Sequence, residues 1–434
     1  MQKLFLELRK ANMLTFYPHQ KEALDNSKNE NRVAYYHDMG LGKTFTGAEK
    51  LIQLNGKVNL IVCQKSKIDD WLEHFNTYYD VRTYNLTKPK QFSEFHGLAI
   101  GDRFTIVGVI NYDLIFRRKE FSKIKFDTLM LDESSLIQNE TSKRAKFILN
   151  KITFKNVILL SGTPTHGKYE NLWSQIQLLG WDISKDLFWK HYVDFEWDMK
   201  SGFPVKVIKG YKNVERLKYK LRQYGAQFLK TEEVMNLPEM IEQQIKIPAT
   251  KEYRKFKKDA IIEINNQLLV GDTTLTKILY ERQLCGHYNS DKLSAFRDIL
   301  ESTEDRLIVF YNFNAELELL QKIASELKRP CGAVNGHEKN LEPYEKYDDS
   351  ITFVQYQAGA MGLNLQKANK IIYFTLPLGK GSCGLWEQSK KRIHRIGQSQ
   401  PCFYYYLLCQ NSIEERNLKM LKLGKELTDD LFEE

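Results

Sequence analysis

The sequence predicts an α/β fold of two parallel-sheet lobes in tandem, with helical insertions between and around them. Three observations carry that expectation. Apolar β-type runs alternate with amphipathic helical ones at 32–36, 58–63, 104–110, 126–131 and 156–161, and again at 306–311, 351–356, 370–375 and 402–408. Many of these runs are continuously apolar, such as Leu60-Ile61-Val62-Cys63 and Leu307-Ile308-Val309-Phe310, which suits strands covered on both faces by helices. The length, 434 residues, exceeds what one ordinary core serves. Two units follow, each a parallel sheet with crossover helices. Between them, 182–300 reads as mostly helical and strongly basic, broken at Gly202, Pro204, Gly210, Pro238, Pro248 and Gly271.

The first β-type run, Arg32-Val33-Ala34-Tyr35, leads into Tyr36-His37-Asp38-Met39-Gly40-Leu41-Gly42-Lys43-Thr44, and a helical run from Phe45 to Leu54 follows. A strand, a glycine-bearing loop, Lys-Thr and a helix is the arrangement that cradles a nucleoside triphosphate. Gly40 and Gly42 let backbone N–H groups turn inward toward phosphate oxygens. Lys43 would reach the β- and γ-phosphates, Thr44 would hold Mg²⁺, and the helix N-terminus adds partial positive charge. Asp38, Met39 and Leu41 complete the loop. One departure stands out: the full G-x-x-x-x-G-K-[ST] string has glycine where this chain has His37.

Two later strands end in polar residues, Asp132-Glu133-Ser134-Ser135 and Ser161-Gly162-Thr163-Pro164. Ligands bind beyond the carboxyl ends of such strands. Asp132 is placed to hold Mg²⁺ together with Thr44, and Glu133 to orient the water that attacks the γ-phosphate and take its proton. An isolated Asp-Glu pair is more often the start of a surface helix; following a phosphate loop at a strand end reverses that balance. Near the C-terminus, Gln388-Ser389-Lys390-Lys391-Arg392-Ile393-His394-Arg395-Ile396-Gly397-Gln398 sets Arg392 and Arg395 three apart, on one face of an expected helix. Guanidinium groups stay charged and bond phosphate oxygens bidentately, so either could serve as an arginine finger, worth about 10³–10⁵ in rate.

Composition narrows the class. With 42% hydrophobic and 27% charged residues the chain reads as folded and soluble, and no apolar stretch approaches the roughly 18 residues of a membrane span. The N-terminus, Met1-Gln2-Lys3-Leu4-Phe5-Leu6-Glu7, lacks the apolar segment of a signal peptide. Six cysteines, without a C-x-x-C pair, argue against a disulfide framework or zinc site and fit a reducing cytoplasm. The net charge is +9, and 206–260 alone holds 14 Lys/Arg against 7 Asp/Glu, a local +7 that suits a polyanion partner or a solvated lysine-rich face.

Taken together, these motifs resemble helicase superfamily two, specifically its Swi/Snf-type DNA-translocating ATPases. Tyr17-Pro18-His19-Gln20 resembles the element in which Gln20 would read adenine. Asp38 through Thr44 resembles the family's phosphate loop, where the position of His37 is commonly not glycine. Leu60 through Ser66 with Trp71 and Phe75 resembles motif Ia, with Gln64 where proline is usual. Asp132 through Ser135 resembles motif II, with Ser135 where histidine is usual. Ser161-Gly162-Thr163-Pro164 with Glu170-Asn171-Leu172-Trp173 resembles motif III and the helix behind it. Gly225 to Pro238 resembles the entry to the second lobe, with Phe228-Leu229 in place of an arginine pair; Arg282-Gln283-Leu284-Cys285 with His287 resembles a helix of that lobe. Ala358-Gly359-Ala360-Met361-Gly362-Leu363-Asn364-Leu365 is similar to motif V, Gln388 through Gln398 to motif VI, and Ser412 through Arg416 to a closing brace. The resemblance runs from about 14 to about 428, and its His-Arg-Ile-Gly-Gln ending is the most specific part.

The resemblance implies two RecA-like lobes: an ATP-binding lobe at 1–181, a basic helical protrusion and linker at 182–248, a helical part of the second lobe at 249–300, and the rest of that lobe with its brace at 301–434. It implies ATP and Mg²⁺ as cofactors, double-stranded DNA as a sequence-independent partner, a monomer, and Gln388, Arg392 and Arg395 acting on the nucleotide from the second lobe. No room is left for a chromatin-reading module, and the Lys/Asn/Tyr-rich composition fits a compact bacterial or phage protein in the cytoplasm of a cell or infected host. Three readings stay open: a duplex-DNA translocase, with 206–260 clamping the duplex; a strand-separating helicase, with Tyr78-Tyr79, Phe195 or Trp197 as wedges; and an ATP-switched clamp that does not turn over.

Overall fold

A computed structural model describes residues 14–99, 105–199, 204–359, 363–379, 381–395 and 397–432. Met1–Glu7, the start of the expected strand at Phe104, the break at Gly202, Ala360–Gly362 of the motif V match and Ile396 of the motif VI match lie outside the described residues. The chain forms two compact units. The first runs to Met235 and takes in the residues from Leu427 onward; the second is Asn236–Glu426.

The first unit is built on β1 (Arg32–His37), β2 (Val58–Cys63), β3 (Arg82–Asn85), β4 (Ile106–Asn111), β5 (Lys125–Asp132), β6 (Thr153–Leu160) and, after a hairpin of β7 (Val193–Asp198) and β8 (Val205–Tyr211), β9 (Ala226–Leu229). The sheet order is β3-β4-β2-β5-β6-β1-β9, and every pairing is parallel. The apolar runs are the reason: β2 and β4 are buried along their whole length, because helices cover both faces of a parallel sheet. On one face Ala34, Leu60, Val62, Leu129, Leu131, Val157 and Leu159 pack in one core. On the other, Val33, Tyr35, Ile61, Met130, Ile158 and Leu160 meet Trp71 and Phe75 from the helix Ile68–Tyr78. The second unit holds β10 (Met240–Ile247), the hairpin β11 (Ile261–Ile264) and β12 (Gln267–Val270), β13 (Leu307–Tyr311), β14 (Cys331–Val334), β15 (Ile351–Gln355), β16 (Lys370–Tyr373) and β17 (Cys402–Cys409). Its main sheet is ordered β10-β17-β16-β13-β15-β14, again parallel throughout.

The segment 182–300 departs from its helical reading. Helices occur at Lys185–Tyr192, Val214–Gln223, Lys251–Asp259, Thr274–Cys285 and Ser290–Glu301, but six strands, β7 to β12, lie among them. Val205-Lys206-Val207-Ile208-Lys209 mixes lysine with β-branched residues, so its charge reads as a helix surface while its backbone pairs with β7. β10 is polar in sequence and becomes a strand because all eight of its residues pair with β17, from Met240 against Cys402 to Ile247 against Cys409. β9 closes the first sheet beside β1. Gly225, just before it, has φ +84°, and a Cβ there would sit 2.3 Å from the Arg32 carbonyl oxygen, so only glycine admits that approach.

An ion-paired node ties β10 into the second unit. Lys390 donates to Glu242 at 2.5 Å, and Lys422 lies 3.0 Å from the other oxygen of that carboxylate. Lys390 also sits 3.7 Å from the centre of the Trp386 ring. Burial opposes ionisation of Glu242, but the two ammonium groups outweigh it and pull its pKa down to about 2. A carboxylate depressed below its unfolded value, roughly 4.3, contributes stability that is complete above that value and is lost as pH falls toward the folded one. We therefore expect Glu242→Gln to lower the stability of the second unit at neutral pH by about 2 kcal/mol. The same substitution should flatten the loss of stability between about pH 4.5 and pH 2. Denaturant unfolding across that range, read on the second unit's transition, checks both.

Candidate nucleotide-binding site

β5, β6 and β1 are consecutive neighbours in the first sheet and run the same way. Their carboxyl ends therefore open at one edge, and the phosphate-loop match, the Asp-Glu turn and the Ser161 loop emerge side by side.

β1 extends through His37, whose side chain turns into the core beside Tyr35, ring centres 5.3 Å apart. Burial, with Lys43 and His19 adding to it, pushes the imidazole pKa down to about 3, so the ring stays neutral near the lysine. The His37 carbonyl accepts a hydrogen bond from Lys43 Nζ at 2.7 Å and the Asp38 carbonyl another at 3.0 Å. Position 37 supplies a backbone carbonyl from a regular strand, which explains why glycine is not needed there. Glycine is needed further on: Gly40 has φ 91° and Gly42 φ 73°. Gly42 also caps the helix Lys43–Gln53, which places Thr44, half-buried, in its first turn.

Gln20 and His19, on the helix Pro18–Asn26, brace the loop from outside. Gln20 Nε2 donates to the carbonyls of Leu41 (3.2 Å) and Gly42 (3.3 Å), its Oε1 accepts from the Tyr17 N–H, and His19 Nε2 donates to the Leu41 carbonyl. A Cβ on Gly42 would lie 2.2 Å from Gln20 Nε2. Asp38 accepts from the Thr231 hydroxyl (3.0 Å) and N–H (3.2 Å), which ties the loop's entry to the residue beyond β9. Across the cleft mouth, a Cβ on Gly162 would meet Met39 Cγ at 2.9 Å and Lys43 Nζ at 3.3 Å.

The Asp-Glu turn is similarly anchored. Asp132 Oδ2 accepts from Trp71 Nε1 at 2.8 Å, and Tyr112 donates its hydroxyl to the Asp132 carbonyl at 3.0 Å. Burial raises the Asp132 carboxyl above the usual range, against the lowering effect of the Trp71 bond. Glu133 adopts a left-handed backbone, φ 58°, a conformation that costs a non-glycine residue about 1–2 kcal/mol and recurs at functional sites. Its Oε1 accepts from two hydroxyls, Ser135 Oγ at 2.8 Å and Ser161 Oγ at 2.7 Å. His166, also left-handed at φ 47°, is held neutral by burial despite the opposing pull of the Glu133 charge, and its Nδ1 is buried without a hydrogen-bond partner.

The structure thus groups Gln20, Asp38, Met39, Gly40, Leu41, Gly42, Lys43, Thr44, Asp132 and Glu133 at one sheet edge. The set fits a magnesium nucleotide: an ammonium held by loop carbonyls, a threonine hydroxyl, a half-buried carboxylate and two positive-φ glycines that keep side chains out of the cradle. Gln388, Arg392 and Arg395 belong to the second unit, and the helical face expected to carry Arg392 and Arg395 is corrected. The helix Ser382–Lys390 carries Gln388 but ends before either arginine. Arg392 and Arg395 lie in the turns beyond it; Arg392 is buried, whereas Arg395 is half-buried and donates to Asn364 Oδ1 at 2.5 Å. Beyond Lys390 the chain bonds outward instead: the Arg392 carbonyl accepts from the Leu365 N–H, and Gln398 donates to the carbonyls of Gln366, Ala368 and Ile393. Of the aromatic wedge candidates, Tyr79 donates to Glu49. Phe195 and Trp197, with Trp189, surround the Lys206 ammonium at 4.5, 5.4 and 5.1 Å. Tyr112, His166 and Thr231 escaped sequence reasoning, as did Gln175, which bonds Ser134. Closeness to a strand end is the signal for Tyr112 and Thr231; His166 and Gln175 have none.

Gly42→Ala combines a positive φ with a clash at Gln20, so we expect it to weaken binding of a non-hydrolysable ATP analogue by at least tenfold, roughly the effect of 1.4 kcal/mol. Gly97→Ala, in a helix where a Cβ meets nothing within 4 Å, should bind as the unsubstituted chain does. Titration calorimetry on both variants checks this.

Comparison with known proteins places the chain. Residues 24–290 match the model of the SNF2-related domain, and 291–398 that of the helicase conserved C-terminal domain. The ISWI chromatin-remodeling complex ATPase ISW1 of Saccharomyces cerevisiae is 24% identical over 91% of this chain and 38% of its own length. The putative ATP-dependent helicase/translocase YwqA of Bacillus subtilis is 23% identical over 91% of this chain and 46% of its own. The chain thus spans less than half the length of these curated relatives. A solved structure of the Sulfolobus solfataricus SWI2/SNF2 ATPase core in complex with dsDNA aligns over 96% of this chain and 93% of that one, at 18% identity and a TM-score of 0.45. No helix among the described residues is long and apolar enough to cross a membrane. With the SNF2-related model covering more than half of it, the chain belongs to the SNF2-related family, joined to a helicase C-terminal domain.

Proposed function

We propose that this chain is an ATPase that is stimulated by double-stranded DNA and translocates along it. The observation that carries the reading is the convergence of Lys43, Asp132, Glu133 and Ser161 at the adjacent ends of β1, β5 and β6. Family membership supports it, as do relatives named as a chromatin-remodeling ATPase and a helicase/translocase.

In this reading Lys43 leaves the His37 and Asp38 carbonyls for the β- and γ-phosphates, and loop N–H groups take the remaining oxygens. Thr44 and Asp132 would hold Mg²⁺, whose charge offsets that of the phosphates. Trp71 and Tyr112 fix the Asp132 carboxylate and carbonyl, so its orientation precedes binding. Glu133 orients the attacking water and accepts its proton. Because Ser135 and Ser161 both occupy Oε1, Oε2 is the oxygen left for that proton. Gln20 is assigned to the adenine, and Gln388, Arg392 and Arg395 to the nucleotide as groups of the second unit. The basic stretch 206–260 is assigned to the duplex through phosphate contacts that carry no sequence information.

ATP turnover measured with no nucleic acid, duplex DNA, single-stranded DNA and RNA tests the reading. Duplex DNA should stimulate most, and Lys43→Ala should abolish the signal. Glu133→Gln should retain ATP but cut turnover by at least about 10²-fold, as loss of general-base catalysis predicts. Apparent DNA affinity should fall by an order of magnitude or more between roughly 50 and 200 mM salt. Stimulation by single strands or RNA alone, or turnover unchanged in Glu133→Gln, overturns it.

A further inference from the structure

Behind the site, the helix Trp173–Leu178 carries Gln175, which is completely buried. Its side-chain amide makes three hydrogen bonds to three different segments. Oε1 accepts from the Tyr36 hydroxyl at 3.1 Å and from Ser134 Oγ at 2.8 Å, while Nε2 donates to the Pro164 carbonyl at 2.8 Å. The orientation of the amide is settled by that last bond, because the reverse would set two carbonyl-type oxygens against each other. Both lone pairs of Oε1 are used.

Each segment so held carries one chemical group of the site. Tyr36 immediately precedes His37 and Asp38, whose carbonyls hold Lys43. Ser134 immediately follows Glu133 in its left-handed backbone. Pro164 lies in the loop that begins with Ser161, the donor to Glu133 Oε1, and continues to His166. Asn171 steadies the same loop by donating to the Thr165 carbonyl at 2.6 Å. A leucine of similar volume would fill the space but could serve none of the three partners, and three buried polar groups would then lose their bonds.

We infer that Gln175 is a positioning residue of the reaction, locking the Glu133 turn and the Ser161 loop in register with the strand that enters the phosphate loop. This rests on reading the site as an ATPase. Gln175 touches neither nucleotide nor water in this role; it acts through Ser134 and Pro164.

The test is steady-state ATP hydrolysis with saturating duplex DNA, with thermal unfolding recorded on the same samples. Gln175→Leu should lower kcat by about tenfold to a hundredfold, the cost of sub-ångström to ångström misplacement, with KM for ATP changed less than about twofold. Ser134→Ala should give part of that loss, and the double variant should be no worse than Gln175→Leu alone, because both remove the same link. Ile176→Val, a purely apolar change on the same buried helix, should lower Tm and leave kcat alone. If Gln175→Leu does not fold, Tyr36→Phe with Ser134→Ala opens the node from its partners without creating a cavity, and should lower kcat in the same way. The inference is overturned if kcat survives in a folded variant, or if the kcat losses of Ser134→Ala and Gln175→Leu simply multiply in the double variant. Absence of turnover in the unsubstituted chain under every nucleic acid overturns the ATPase reading, and this inference with it.

Discussion

Parallel pairing of β1 with β6 and of β6 with β5 is the constraint on which the first unit's chemistry depends. Strands that share direction and adjacency deliver their carboxyl ends to one edge, and those ends are where backbone groups run out of ladder partners. The carbonyls of His37, at the end of β1, and of Asp38, just beyond it, hold Lys43, and the residues after β5 and β6 exchange a side-chain bond at the same edge.

Two departures from the expected motifs find physical accounts in the same place. His37 is accommodated because its contribution is a carbonyl and a strand conformation, and burial keeps the imidazole neutral beside a lysine. Ser135 is accommodated because a hydroxyl, paired with that of Ser161, can hold one oxygen of Glu133 from two sides. Small donors at short range thus bring the turn after β5 and the loop after β6 onto a single oxygen of the carboxylate.

What was legible in the sequence follows from how local each signal is. The phosphate-loop match needs only a strand, two glycines and a helix start, and the continuous apolar runs announce strands buried on both faces, so β1, β2, β5 and β13 stand close to where the pattern places them. β3, β9, β10 and β14 were not legible because they are short or polar and acquire strand geometry only from a neighbour, as β10 does from β17. The i, i+3 spacing of Arg392 and Arg395 implied a helix. The helix stops at Lys390, and beyond it Arg392 and Gln398 bond to the segment around Leu365 to Ala368, an arrangement no local pattern encodes. Among site residues, Lys43, Asp132 and Glu133 announce their chemistry by type and context. Trp71 and Tyr112 are ordinary core residue types and Gln175 is a buried polar one outside any motif, so only the fold reveals what their polar atoms touch.

That last distinction bears on how such a site is held. A carboxylate in a left-handed turn stores strain, as Glu133 does here, and strain persists only where its surroundings over-determine the conformation. Here the residues on either side of Glu133 are bonded before any ligand arrives: Tyr112 holds the Asp132 carbonyl, and Gln175 holds the Ser134 hydroxyl. Because those partners sit just after β4 and on the helix behind β6, the turn is fixed by elements that contribute nothing to the chemistry itself. Preorganisation of this kind places the cost of orienting Glu133 in the folding of the unit rather than in the binding of a ligand. It follows that the residues most worth following across variants of this chain are the buried hydroxyl and amide groups behind the strand ends, since they decide whether the conspicuous charges are aimed.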